Sequence, residues 1–134
     1  MAVRPFPGLP ACRAGARLRG MGLSLKRCVP CEGGVPPLPP ERARQLLGEL
    51  DGWSLEADRL RRHLRFRDFP AALRFVNAVG EVAEREGHHP DLFLHDWNCV
   101  DVSLWTHAIG GLSENDFILA AKIDLLPRDA PPSG

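Results

Sequence analysis

No stretch of this 134-residue chain approaches about eighteen consecutive apolar residues, which excludes a membrane-spanning helix. The chain also lacks a Gly-rich nucleotide loop, a P-loop, a Ser or Cys nucleophile motif and an H-E-x-x-H zinc motif. Acid is missing from residues 1 to 31, which hold six of the 17 basic residues (Arg4, Arg13, Arg17, Arg19, Lys26, Arg27) and none of the 17 acidic ones. The remainder therefore carries a net charge of −6 and is poorly suited to a phosphate backbone, so no nucleic-acid partner is expected. Of the four cysteines, Cys12, Cys28, Cys31 and Cys99, only Cys28 and Cys31 form a C-x-x-C, in "CVPCEGG". No second pair completes a structural zinc site, and the motif precedes "GGVPPLPP" instead of opening a helix as a thioredoxin-like dithiol does. It reads as a loop feature.

The basic, acid-free start, rich in Ala, Gly and Pro, has the charge pattern of an organelle transit peptide, pointing to a mitochondrion or plastid. The alternative is a plain extension, or sequence upstream of an internal start at Met21, which leaves the protein cytoplasmic. Pro- and Gly-rich sequence runs to Pro40, and "PRDAPPSG" closes the chain. Such segments bury little apolar surface. The expected organisation is a largely disordered leader over 1–37, one folded domain over 38–126 and a disordered tail over 127–134.

Within that domain "PPERARQLLGEL" predicts a short helix ending near Asp51-Gly52. "WSLEADRLRRHLRF" predicts a hairpin turning near Ala57-Asp58, with Leu60, Leu64 and Phe66 alternating against Arg61, His63 and Arg65. Arg62 interrupts the apolar face, so this strand should lie at an edge or line something polar. "DFPAALRFVNAVGEVAEREG" is the clearest helix. Asp68 suits its N-cap, Pro70 its first turn and Gly87 its C-terminal cap. Ala72, Phe75, Val76, Val79, Val82, Ala83 and Glu86 share one stripe. "LFLHDWNCVDVSLWTH" predicts a second hairpin, with Val100, Val102 and Leu104 facing one way and Asp101, Ser103, Trp105 and His107 the other. A last helix starts at Ser113, with Asp116 completing a capping-box pattern. The order α-β-β-α-β-β-α predicts an α+β fold, a four-stranded antiparallel sheet with three helices on one face.

Four of the five histidines fall within residues 86–107. His88 and His89 sit where the long helix stops, and a strand out and back returns His107 towards them, with Trp97 or Trp105 offering a flat apolar wall. Three readings of this trio stand. Zinc is disfavoured because neighbouring histidines do not readily share one ion, so no metal is expected. Capping or surface roles are the plain alternative, and His63 and His95 fit them. Metal-free acid/base chemistry is the third, since imidazole titrates near neutrality and can both donate and accept a proton at working pH. An elimination of water suits it.

At these residues the sequence resembles the pterin-4a-carbinolamine dehydratase family. That family's pattern is an acidic residue, three spaces, His-His-Pro, five or six spaces, an aromatic, nine spaces, His, and a later Asp. Here it reads Glu84, His88-His89-Pro90, Trp97, His107 and Asp116. The likeness runs from about Trp53 to Ile123, through "FRDFPAALRFV" and "GGLSENDFILAAKI". It implies dehydration of 4a-hydroxytetrahydrobiopterin to quinonoid dihydropterin and water, in tetrahydropterin recycling, with no cofactor. It further implies that His88, His89 and His107 are catalytic, with His88 and His107 doing the acid/base work and His89 orienting the pterin. Pro90, Thr106, Ala108 and Ile109 match substrate-contacting positions. Glu84, one helical turn before His88, would orient it, and Asp116 is either a support or a plain cap. Trp105 stands where vertebrate members have a small residue, which implies a differently shaped pocket. Family members commonly form homotetramers, and the apolar surface of residues 113–126 would serve such packing. Two other functions remain open: a non-catalytic pterin- or molybdopterin-binding protein on the same fold, and a protein-interaction module of the transcription-cofactor kind.

Overall fold

The computed structural model describes residues 21–29 and 36–128. Cys12 and Cys31 lie outside them, so the C-x-x-C is represented by Cys28 alone. The elements are α1 (Met21–Ser24), α2 (Pro40–Leu47), β1 (Ser54–Glu56), β2 (Arg59–Arg65), α3 (Phe69–Glu86), β3 (Asp91–His95), β4 (Cys99–Leu104), a 3-10 turn (His107–Ile109) and α4 (Glu114–Asp124). From α2 onward this is the predicted order.

The four strands form one antiparallel sheet in the order β1-β2-β4-β3. Alternation sets its two faces. Leu60, Val100, Val102 and Leu104 are wholly buried and meet Leu46 of α2, Phe75 and Val79 of α3, and Phe117 and Ile123 of α4 in one core. On the opposite face Asp101 is paired across the ladder with His63 on β2 and Phe93 on β3. His63 Nδ1 lies 2.9 Å from Asp101 Oδ1, and His95 Nδ1 lies 3.0 Å from Asp96 Oδ2. Asp101 and Glu56 raise the His63 pKa, and Asp101 and Asp96 raise that of His95.

Turn chemistry follows the sequence closely. Ala57 and Asp58 both have positive φ, 52° and 63°, the two-residue turn whose twist suits a hairpin. The Asp68 side chain accepts from Ala71 N at 2.9 Å, and Gly87 ends α3 with φ 67°.

Three expectations change. β2 is an inner strand, and Arg62 is tolerated on its core side because its guanidinium reaches the Asp51 carbonyl and Asp124 Oδ1, the latter at 3.2 Å. The apolar residues of α4, Phe117, Ile118, Leu119, Ala120, Ala121 and Ile123, are all buried within this chain. A helix apolar all round is an interior helix, and this one has α1 and α3 packed against it, so over 113–126 the large apolar side chain left exposed is Leu125. Finally, residues 21–29 fall inside the span expected to be largely disordered, yet Leu23 is 2 % exposed and belongs to the core.

Candidate functional site

The site is built where two chain reversals meet the start of α4. At the end of α3, Gly87 adopts the left-handed conformation, and the N–H groups of Gly87 and His88 turn back to the Glu84 and Ala83 carbonyls at 3.3 and 3.2 Å. This cap fixes the direction in which His88 and His89 leave the helix. They diverge at once: the His88 side chain is 12 % exposed, that of His89 62 %.

His88 is held by α4. Its Nε2 lies 2.6 Å from Asp116 Oδ1, and Asp116 is fully buried. The second carboxylate oxygen, Oδ2, accepts from the Thr106 hydroxyl at 2.8 Å and from the Ser113 backbone N–H at 2.9 Å. Asp116 therefore caps α4 and positions His88 at the same time, joining the two roles weighed for it. A carboxylate only accepts, so the hydrogen of His88 sits on Nε2, which leaves Nδ1 with the free lone pair. Glu84, expected to orient His88, instead meets His89, with Oε1 3.0 Å from Nε2. Helical spacing placed Glu84 near the pair, and the inward turn of His88 took it out of reach.

The second reversal presents His107. β4 ends at Leu104, so His107 is not on a strand as expected but begins the 3-10 turn. Thr106 and Gly111 form an isolated bridge, Thr106 N to Gly111 O at 2.9 Å and Gly111 N to Thr106 O at 3.3 Å. The Trp105 ring packs edge-on against the His107 ring, centroids 4.6 Å apart, and the Arg59 guanidinium covers the indole, also at 4.6 Å.

These reversals enclose a pocket of about 240 Å³ lined by His88, His89, His107, Thr106, Ala108 and Trp105, together with Gly87, Val29 and Asn115. Of the residues singled out by sequence, the three histidines, Thr106 and Ala108 are brought together here. Pro90 and Ile109 are not among its walls; Ile109 lines a neighbouring cavity that shares Val29 and Asn115. Trp97 is in the β3–β4 turn, at the far end of both strands, and is 61 % exposed. Trp105 provides the flat wall instead. Sequence reasoning missed Val29 and Asn115. The only signal was Glu86, a carboxylate on the apolar stripe of α3, whose partner proves to be the Cys28 backbone N–H at 2.9 Å. Beside Glu86, burial pushes the Cys28 thiol up to about 12, so it stays protonated at neutral pH.

Among the described residues one set of metal-ligating atoms converges, from His95, Asp96 and Cys99, all within 4.8 Å of one another. It lies at the β3–β4 turn, away from the histidine pocket. Nor is any described helix long and apolar enough to cross a membrane.

Comparison with known proteins gives the family. Residues 36–126 match the family described as Pterin 4 alpha carbinolamine dehydratase. A provisionally named pterin-4-alpha-carbinolamine dehydratase of Rubrobacter xylanophilus is 50 % identical over 105 residues, covering 78 % of this chain and 97 % of that protein. A Methylococcus capsulatus protein of the same provisional name is 48 % identical over 110 residues, 81 % and 96 % of the two chains. The crystal structure of a transcriptional coactivator/pterin dehydratase from Brucella melitensis superposes with a TM-score of 0.62 at 33 % identity, covering 66 % of this chain and 95 % of that one. The chain belongs to the pterin-4a-carbinolamine dehydratase family.

Proposed function

We infer that this chain is a pterin-4a-carbinolamine dehydratase, and that His88, His89 and His107 carry the reaction. The observation that bears most weight is the convergence of the three imidazoles on one pocket, one of them held by a fully buried carboxylate. Dehydration removes the 4a-hydroxyl as water and the proton from the adjacent N5, and the N5 electron pair forms the new C4a=N5 double bond. His88 suits the base: Asp116 fixes its tautomer and stabilises the imidazolium that forms when Nδ1 takes the proton. His107, exposed and in exchange with solvent, suits the acid that protonates the leaving hydroxyl. His89, steadied by Glu84, suits orientation of the ring. A binding protein needs no buried carboxylate behind an imidazole, so the carrier reading is the weaker one, and nothing in the acidic domain favours an interaction module.

The direct test follows loss of a 4a-hydroxytetrahydropterin by absorbance. Wild type should accelerate it, and His88→Ala and His107→Ala should each lower the rate at least about tenfold, the low end for lost acid/base help. Pterin binding without acceleration would leave a carrier on a dehydratase fold.

The family resemblance also supports a homo-oligomer. Its candidate contacts are the exposed Phe69 and Leu73 of α3 and Phe93 on the edge strand β3. Light scattering at micromolar concentration tests this, and a monomer would refute it. A mitochondrial or plastid address rests solely on the basic, acid-free composition of the leader.

A further inference from the structure

Residues 21–29 precede the family match, which begins at residue 36, yet they are fastened to both supports of the histidine pocket. On one side is Glu86, two residues before His88 and nearly buried, its side chain 7 % exposed. Glu86 accepts from Cys28 N and pairs with Lys122 at 3.4 Å, while Lys122 also donates to the Ser24 carbonyl at 3.1 Å. On the other side is Asn115, one residue before Asp116. Its amide clamps Val29 as a neighbouring strand would, Val29 N to Oδ1 at 3.0 Å and Nδ2 to Val29 O at 2.5 Å. Leu23 anchors the segment in the core, and Lys26 meets Glu114 at 2.6 Å.

The result is an apolar side chain held by its own backbone on the rim of the pocket with 64 % of its surface uncovered. Leaving an aliphatic group wet beside three imidazoles has a cost that a flat ligand face would remove. We propose that the strap formed by residues 21–29 brings one residue to the active site, Val29, a substrate-binding residue against which the pterin ring lies. This rests on the dehydratase reading for the identity of the substrate but not for the existence of the wall.

The test uses the full chain, comparing wild type with Val29→Gly and with Leu25→Ala, whose side chain is on the same strap, 79 % exposed and not among the pocket walls. Val29→Gly should raise KM, and the Kd for 7,8-dihydrobiopterin, about fivefold, the loss of one or two covered methyl groups. The value of kcat should stay within about twofold, and Leu25→Ala should match wild type. Saturating 7,8-dihydrobiopterin should also slow tryptic cleavage after Arg27, which a purely structural strap would not show. Unchanged Kd and KM in Val29→Gly, or cleavage indifferent to the ligand, overturns the proposal. Should wild type bind the dihydropterin without turning over carbinolamine, the Kd comparison still decides the strap, and only the dehydratase reading fails.

Discussion

Asp116→Asn should leave a folded protein that has lost most of its turnover. The side chain keeps its shape, and the one remaining oxygen is claimed by the two donors at the Oδ2 position, the Ser113 N–H and the Thr106 hydroxyl. The new NH2 group then faces His88 Nε2. A donor there demands an acceptor, so the hydrogen of His88 moves to Nδ1, and that nitrogen loses the lone pair a base needs. The expected fall in kcat is about 10²-fold or more, the scale of lost acid/base catalysis and of a wrong imidazole tautomer in other enzymes. The stability loss should be about 1–2 kcal/mol, one weakened charged acceptor in an otherwise intact network. Urea unfolding and steady-state kinetics on the same preparation separate the two effects. A turnover within about threefold of wild type would show that the His88 tautomer does not matter.

The second large effect is expected from Arg62→Met, and in stability. Arg62 and Asp124 have side chains only 15 % and 24 % exposed, and the indole of Trp53 donates to both Asp124 oxygens at 3.0 Å. Burial already holds the Asp124 carboxyl above the ordinary carboxylate value, opposed by Trp53 and by the charges of Arg62 and Arg128. Removing the guanidinium leaves a largely buried anion without its nearest cation. The loss should be about 2–4 kcal/mol at pH 7, somewhat below the range for breaking a fully buried pair. The sign with pH is fixed by the direction of the shift. An acid whose folded pKa lies above its unfolded one binds more protons when folded, so its contribution grows as the pH falls through that value. The variant's deficit against wild type should therefore shrink as the pH falls from 7. A deficit that stays constant or widens in acid would mean that Asp124 is not the group left stranded.

Local signals carried much of this fold. The cap Asp68, the first-turn Pro70 and the terminal Gly87 bracket α3 within a residue of where it lies, because each acts on its own backbone. The Ala57-Asp58 turn was equally local. The histidine trio was legible because a hairpin must bring its far end home. Partnerships across the chain were not. Helical spacing suggests that Glu84 holds His88, but the residue that does is Asp116, 28 positions away. Arg62 suggests an edge strand because an ion pair with Asp124, 62 positions away, leaves no periodic trace. The strap was least visible of all. Its fastening relies on backbone groups of Cys28 and Val29, which any sequence offers equally.

The bridge between Thr106 and Gly111 has a consequence for how the two proton-handling rings keep station. His107 rides on a loop whose two ends are pinned together, and the pinning residue, Thr106, donates its hydroxyl to the same carboxylate that grips His88. The rings arise from different elements, nineteen positions apart in the chain, yet both are surveyed from one benchmark, Asp116. A breathing motion of α3 against β4 must work through that shared reference before it can alter their separation. Proton transfer at two neighbouring atoms tolerates misplacement of well under 1 Å or so. Here a single buried aspartate keeps that tolerance for two rings carried by separate parts of the fold.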